Sequence, residues 1–322
     1  MKSPKARAGT RRPRFKFVDL FAGVGGMRLA FESAGGSCVF SSEWDKHAVQ
    51  TYFTNFGEVP YGDITAIPEK TIPNFDVLLA GFPCQPFSSI GKREGFAHKT
   101  QGTLFFDVLR IVAHKKPSAL LLENVSGLVS HDKGNTLRTI LESLEEIGYR
   151  VQFLVLDAAF FGVPQRRKRI YLVGFRSDLV TAWGKFAWPE PSKSPATLGK
   201  SIKKNVRGYE ISKHLQQVYI RKVDDGRPQI LDPKKSSRAT ANTLVASYHK
   251  IQRLTGTFVA DGPTGLRLLS IDECKSIMGF PKNFAFPVSR TQAYRQLGNS
   301  VAIPLVEQIA GRMVEALEEV ES

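Results

Sequence analysis

Cysteine is scarce: the 322 residues hold three, at positions 38, 84 and 274. They cannot all pair with one another, and their separations match no metal-ligand spacing. A disulfide scaffold and a structural metal site are therefore not expected, and the usage fits a reducing, cytosolic setting. Long apolar runs are also missing, so no membrane-spanning helix is expected, and the basic N-terminus lacks the apolar stretch of a signal peptide. Internal repeats and long low-complexity tracts are absent as well. What is there is 42% hydrophobic residues, enough for a substantial core in one large or two unequal domains.

Acidic residues are outnumbered, 30 against 45 Lys and Arg, which leaves a net charge of +15. The excess is local. Residues 2–16 carry seven basic residues and no acid, and residues 190–260 carry fourteen against five. The remainder is close to neutral. A basic tail and one compact basic segment point to a polyanionic partner, most simply nucleic acid. Residues 1–14 read as a disordered basic arm making weak, salt-sensitive contacts.

Strand and helix patterns alternate about six times through residues 15–190. "KFVDLFAG" reads as a buried strand ending in a glycine turn, and "GMRLAFESAG" has helical periodicity with a glycine stop. "SCVFSSE", "FDVLLAGF", "SALLLENV", "RVQFLVLDA" and "RIYLVGF" read as further strands, with amphipathic helices between most of them. This is the signature of an α/β fold with a mostly parallel sheet. Beyond Pro189 the chain turns rich in Pro, Ser and Lys. Residues 191–285 lack the alternation and form a second, smaller unit, whereas residues 286–322 return to the first.

Glycines at 23, 25 and 26 sit between the first strand and first helix, where they permit a tight turn and close approach of a ligand to the backbone. Glu43 ends the second strand, and a carboxylate there can accept both hydroxyls of a ribose. Trp44 beside it offers a flat face to an adenine, and Asp63, at the end of a short strand "GDI", can meet its edge. The spacing is GxGG, not GxGxxG, so a nucleoside cofactor is indicated, with NAD and S-adenosylmethionine both open and a dinucleotide disfavoured.

Cys84 follows an apolar strand at its carboxyl end, where open α/β sheets bind ligands, and the prolines of "FPCQPF" restrict its backbone. A free thiol has a pKa of about 8.5 and needs a nearby cation or backbone N–H groups to ionise. Glu123, at the end of "LLLENV", stands in an apolar frame that raises a carboxyl pKa and suits an acid. Arg167 and Arg169 lie two apart, on one side of an extended chain, where their guanidinium forks can hold a carbonyl-bearing base.

These stretches, "DLFAGVGG", "GFPCQPFSSIGK", "ENV", "QRRKRIYLVGF" and "QLGNSV", occur in the order and spacing of the cytosine-C5 DNA methyltransferases, a family this chain resembles over about residues 15–190 and 265–322. The likeness is strongest to the short bacterial enzymes of restriction–modification systems. It implies a Rossmann-like methyltransferase domain (15–190 with 286–322), a DNA-recognition domain (191–285), and no metal. It implies that Cys84 adds to C6 of a flipped-out cytosine while Glu123 bonds the N3 side of the ring. Arg167 and Arg169 would then contact the base carbonyl or the backbone around it. Phe21, Gly23, Gly25, Glu43, Trp44, Asp63, Ile64, Leu104, Asn299 and Ser300 would hold S-adenosylmethionine. Residues 88–102 resemble the mobile catalytic loop, with Ser88, Lys92 and Arg93 near the DNA. Arg227, Arg238 and Thr243 are candidates for DNA contact in the recognition segment. The implied protein is a cytoplasmic monomer that modifies double-stranded DNA, with a separate restriction endonuclease as a possible companion.

Three other readings compete. RNA methyltransferases of the same chemistry carry a Cys-Phe-Thr stretch, which no cysteine here begins. A non-catalytic DNA-binding relative would lack the cysteine or the glutamate. A nicotinamide oxidoreductase gives no reason for the Pro-Cys-Gln arrangement or the basic segment.

Overall fold

A computed structural model describes residues 13–83, 104–220, 227–251 and 253–321. In chain order its main elements are β1 (Phe15–Leu20), α1 (Gly26–Ser33), β2 (Gly36–Ser42), α2 (Lys46–Phe56), β3 (Val77–Gly81), α3 (Leu104–Lys115), β4 (Ala119–Val125), α4 (Asn135–Glu146), β5 (Tyr149–Asp157), β6 (Lys168–Arg176) and α5 (Val180–Lys185). There follow the single turn α6 (Lys213–Leu215), then β7 (Gln229–Leu231), β8 (Thr257–Val259), α7 (Ile271–Met278), α8 (Arg290–Asn299) and α9 (Ile303–Glu321).

The apolar strands form one six-stranded sheet in the order β2-β1-β3-β4-β6-β5. All strands run parallel except β6, which is antiparallel to both neighbours. The sheet is thus mostly parallel, as the alternation predicts. The sequence did not signal the reversal of β6. It matters because β6 begins at the edge where the parallel strands end.

Side chains alternate across the sheet, so each strand feeds two cores. Val18, Leu78, Leu120 and Leu172 bury one face together with Phe105 and Val108 of α3 and Leu137 and Ile140 of α4. Phe17, Val77, Leu121 and Val173 bury the other with α1 and α9. The second core continues without a break into Ile202, Leu231, Leu244 and Phe258 of the basic segment. The segment therefore packs on the same sheet face as the returning helix α9, with its own small parallel pair β7–β8.

One buried ion cluster ties this segment together. Arg267 is 0% exposed and makes paired bonds of 2.8 and 2.9 Å to Glu273, plus one of 2.9 Å to Asp261. Glu273 also closes a capping box with Ser270 at the start of α7 and accepts the Lys203 N–H at 2.8 Å. Removing one partner of a buried pair strands the other's charge. Glu273→Ala is therefore expected to lower the unfolding free energy by ~3–5 kcal/mol, read from equilibrium urea unfolding. A loss no larger than that of an exposed Glu→Ala control contradicts this role.

Candidate active site

The carboxyl ends of β1, β3 and β4, the start of β6 and the α8–α9 turn surround a cavity of about 390 Å3. Sheet register explains its floor. Asp19, Leu79 and Leu121 are neighbours across three strands, and one step further on the same face come Gly81 and Glu123, paired in turn with Tyr171 of β6. A Cβ on Gly81 would lie 3.6 Å from the Glu123 carboxylate and from the Met27 side chain. Glycine there keeps the cavity open.

Glu43 braces the turn after β1. One oxygen accepts the Gly23 N–H and the other the Asp45 N–H, both at 2.8 Å. Burial raises its pKa, an effect that these N–H groups oppose. Gly23 and Gly25 have φ of 56° and 84°, in the left-handed region that glycine adopts without strain. A Cβ on Gly25 would come within 2.3 Å of the Phe56 ring. One on Gly26 would come within 2.5 Å of the Ser300 hydroxyl, so the first helix begins against the C-terminal turn.

At the other end, Arg169 Nε lies 3.1 Å from Glu123 Oε1, with both side chains largely buried. This contact exists because β6 runs backwards. Burial pushes the Glu123 carboxyl upward, while Arg169 and Arg167 draw it down. Asn124 donates to the Phe82 carbonyl at 2.9 Å and so fixes the end of β3, where Phe82 and Pro83 form part of the cavity wall. Cys84 is the next residue in sequence after Pro83. Cys84, Ser88, Lys92 and Arg93 lie outside the described residues.

Phe21, Gly23, Glu43, Trp44, Leu104, Glu123, Arg167, Arg169, Asn299 and Ser300 line the cavity. Trp44 stands at the rim, 79% exposed. Gly25, Asp63 and Ile64 do not line it. Gly25 acts through its turn. Asp63 ends no strand: Ser42 and Tyr61 make an isolated bridge, and Asp63 is exposed and caps a short turn through the Thr65 N–H. Ile64 is buried in the core on the other sheet face, away from the cavity lining. Arg167 is 1% exposed, and its two amino groups donate to the carbonyls of Leu244, Gly298 and Ser300. Burial and the charge of Arg169 lower its pKa to about 10.

Arg227 and Arg238 are exposed on the basic segment. The Thr243 hydroxyl donates to the Arg166 carbonyl, which leaves its oxygen only as an acceptor. Sequence reasoning passed over Asp19 and Gln296. Both line the cavity and are largely buried, and Asp19 Oδ2 and Gln296 Nε2 have no hydrogen-bond partner among the described residues. A carboxylate inside the otherwise apolar "FKFVDLF" was the available signal for Asp19.

These features fit S-adenosylmethionine. The cavity offers a glycine turn, the Glu43 carboxylate, an exposed indole, and one acceptor and one donor still unpaired. Among the described residues, no cluster of His, Cys, Asp or Glu is placed to hold a metal ion, and no helix is long and apolar enough to cross a membrane.

A mostly parallel sheet with a nucleoside-type turn at one strand end and a buried Glu–Arg pair at the next defines an α/β transferase. Residues 15–315 match the family model for C-5 cytosine-specific DNA methylase, and the chain belongs to that family. It is 56% identical over 306 residues to the Type II methyltransferase M.MspI of Moraxella sp., covering 95% of this chain and 72% of that protein. It is 41% identical to the Type II methyltransferase M.HhaI of Haemophilus parahaemolyticus, covering 92% and 93%. The crystal structure of a Spodoptera frugiperda DNMT2 mutant superposes with a TM-score of 0.71 over 95% of this chain and 99% of that one, at 24% identity, a likeness of fold.

Asp19 yields a pH-dependent expectation. Burial pushes its carboxyl up to about 7, with Arg28 only partly offsetting the effect. A raised carboxyl pKa contributes stability in full below the ordinary value near ~4, and that contribution is lost as pH rises through the folded value. Asp19→Asn stays neutral throughout. Ligand-free thermal melts should therefore show its stability relative to wild type rising from about pH 4 to about pH 8. A wild type that gains on the variant between those pH values would overturn the assignment.

Proposed function

We propose that this enzyme methylates C5 of a cytosine in a specific double-stranded DNA sequence through a covalent Cys84–C6 adduct. The observation that carries the reading is the Glu123–Arg169 pair, set in a cavity whose wall includes Pro83, one peptide bond before Cys84. Cytosine C5 is a weak nucleophile. Addition of the Cys84 thiolate to C6 places electron density on N3 and C5, and Glu123, with its raised pKa, hydrogen-bonds the N3 side. Arg169 holds Glu123 in place and lies beside the base. Once C5 carries the methyl group, loss of the C5 proton expels the thiolate and restores the ring. S-adenosylmethionine supplies the methyl group and leaves as S-adenosylhomocysteine. Glu43, Gly23, Trp44, Leu104, Asn299 and Ser300 hold it, with Asp19 Oδ2 and Gln296 Nε2 left for its polar atoms.

A cytosine stacked in a duplex cannot be reached from both faces, so the target is flipped out. Residues 191–285 act as the recognition unit, with Arg227 and Arg238 toward DNA. Residues 15–190 with 286–322 carry the chemistry. Ser88, Lys92 and Arg93 supply further contacts to DNA. We read the protein as a cytoplasmic monomer serving a restriction–modification pair, its endonuclease acting separately. Membership of the C-5 cytosine-specific DNA methylase family supports DNA over RNA as substrate.

With radiolabelled S-adenosylmethionine, wild type should label DNA and leave tRNA unlabelled. Cys84→Ala should transfer no methyl to DNA while still binding it in mobility shifts. DNA with 5-fluorocytosine at the target should trap a denaturant-stable adduct on wild type alone. Full transfer by Cys84→Ala, or preferential labelling of tRNA, sinks the reading.

A further inference from the structure

Two arginines two residues apart line the same cavity, yet they face different partners. Arg169 meets Glu123. Among the described residues, Arg167 hydrogen-bonds only to backbone: Nη1 donates to Leu244 at 3.1 Å, and Nη2 donates to Gly298 at 3.0 Å and to Ser300. Those carbonyls belong to two distant parts of the chain. Leu244 lies in the basic segment, whereas Gly298 and Ser300 flank Asn299 in the turn that helps to wall the cavity.

The stretch 241–246 is laced along the residues leading to Arg167. Ala241 N–H donates to Pro164 and Arg166 N–H to Ala241, each at 2.9 Å. Leu244 N–H donates to Gln165 Oε1 at 2.6 Å, and the Gln165 amide also donates to Ile277 at 3.0 Å. On its other side, the stretch touches Gly298 backbone to backbone. A Cβ on Gly298 would lie 2.3 Å from the Ala246 nitrogen and the Val245 carbonyl carbon. The strap is therefore held between the start of β6 and the Gly298–Ser300 turn, and one guanidinium bonds to both.

We infer that Arg167 is a positioning residue for the cofactor: it clamps the Gly298–Ser300 turn to the 241–246 strap and does not contact the target base. The division of labour is then sharp. Arg167 sets the cofactor wall through three carbonyls, and Arg169 sets the acid at the base end. Loss of Arg167 leaves buried carbonyls without donors, so the turn relaxes and the cofactor is held less tightly. Lysine offers a point charge in place of a planar fork and cannot span all three carbonyls, so it restores only part of the effect. The inference rests on the methyltransferase reading.

The test separates binding from chemistry. Calorimetry with S-adenosylhomocysteine gives cofactor affinity, and steady-state methylation of genomic DNA lacking cytosine methylation gives kcat at saturating S-adenosylmethionine. Arg167→Met should weaken S-adenosylhomocysteine binding by about tenfold or more and leave kcat within about threefold. Arg169→Met should do the reverse, with kcat down about a hundredfold and affinity little changed. Gly298→Ala, which presses on the strap from the other side, should weaken the cofactor as Arg167→Met does, and Arg167→Lys should fall between. If Arg167→Met does not fold, as judged by circular dichroism and thermal melting, Gly298→Ala and Arg167→Lys carry the same comparison. The inference is overturned if the folded Arg167 variants bind S-adenosylhomocysteine as wild type does, or lose kcat as Arg169→Met does. Failure of wild type to bind S-adenosylhomocysteine would instead overturn the methyltransferase reading.

Discussion

The contact between Glu123 and Arg169 is the constraint around which the site is arranged. It needs a carboxylate at the end of a parallel strand and a cation at the beginning of its neighbour, a combination available only if the neighbour runs backwards. β6 does so, and its first residues meet the ends of β1, β3 and β4. Burying such a pair costs desolvation of both ions, which their attraction offsets only when geometry is good and the remaining lone pairs are used. Here the pair stays partly reachable from the cavity, and burial raises the acid's pKa against the pull of both arginines. The same reversal carries Arg167 and Gln165 to the seam with the basic segment. One change of strand direction therefore places both the acid's partner and the clamp on the cofactor wall.

The two sheet faces divide the remaining work. The face covered by α3 and α4 is mainly aliphatic and aromatic and serves as foundation. The other face carries Asp19 and Glu123 among its apolar residues, and it alone is shared with the recognition segment. Polar atoms without partners are tolerated there because the cavity lies above them: Asp19 Oδ2 and Gln296 Nε2 both border it. A proposed division of the chain at residues 191 and 285 is thus a division of labour, while the buried cluster beneath runs across it.

Much of this was legible in sequence, for identifiable reasons. Strands such as "LLLENV" announce themselves because both faces are buried and the run is apolar, and Glu123 stands out at its end as the only charge. Glu43 was legible through its distance from the glycine turn. The part that escaped was set by partners far along the chain. Arg167 and Arg169 look equivalent two residues apart, and only the folded positions of Leu244, Gly298 and Ser300 commit one of them to backbone. Thr243 reads as a surface hydroxyl until Arg166 supplies an acceptor. Asp63 reads as a strand end, but capping the next turn through Thr65 was locally available and won. Cys84, the residue that prompted the catalytic reading, lies outside the described residues, so its place is argued from Pro83 and from the Asn124 bond that fixes Phe82.

Charge separation is the last consequence. The chain is strongly basic overall, yet the residues lining the cavity include Asp19, Glu43, Asp45 and Glu123. The basic excess lies in the N-terminal stretch and in the 190–260 segment. A sulfonium cofactor is a cation, and an acid-lined, poorly hydrated pocket favours it. DNA is a polyanion and is drawn to the basic exterior over longer range. Were the two fields mixed, each ligand would meet like charge at the other's door. Arg167, Arg169 and Arg295 also line the cavity; the first is held by backbone carbonyls and the second pairs with Glu123. Arg169 thereby offsets the charge of Glu123, while Glu43 keeps its carboxylate at the glycine turn, the part of the cavity assigned to the cofactor.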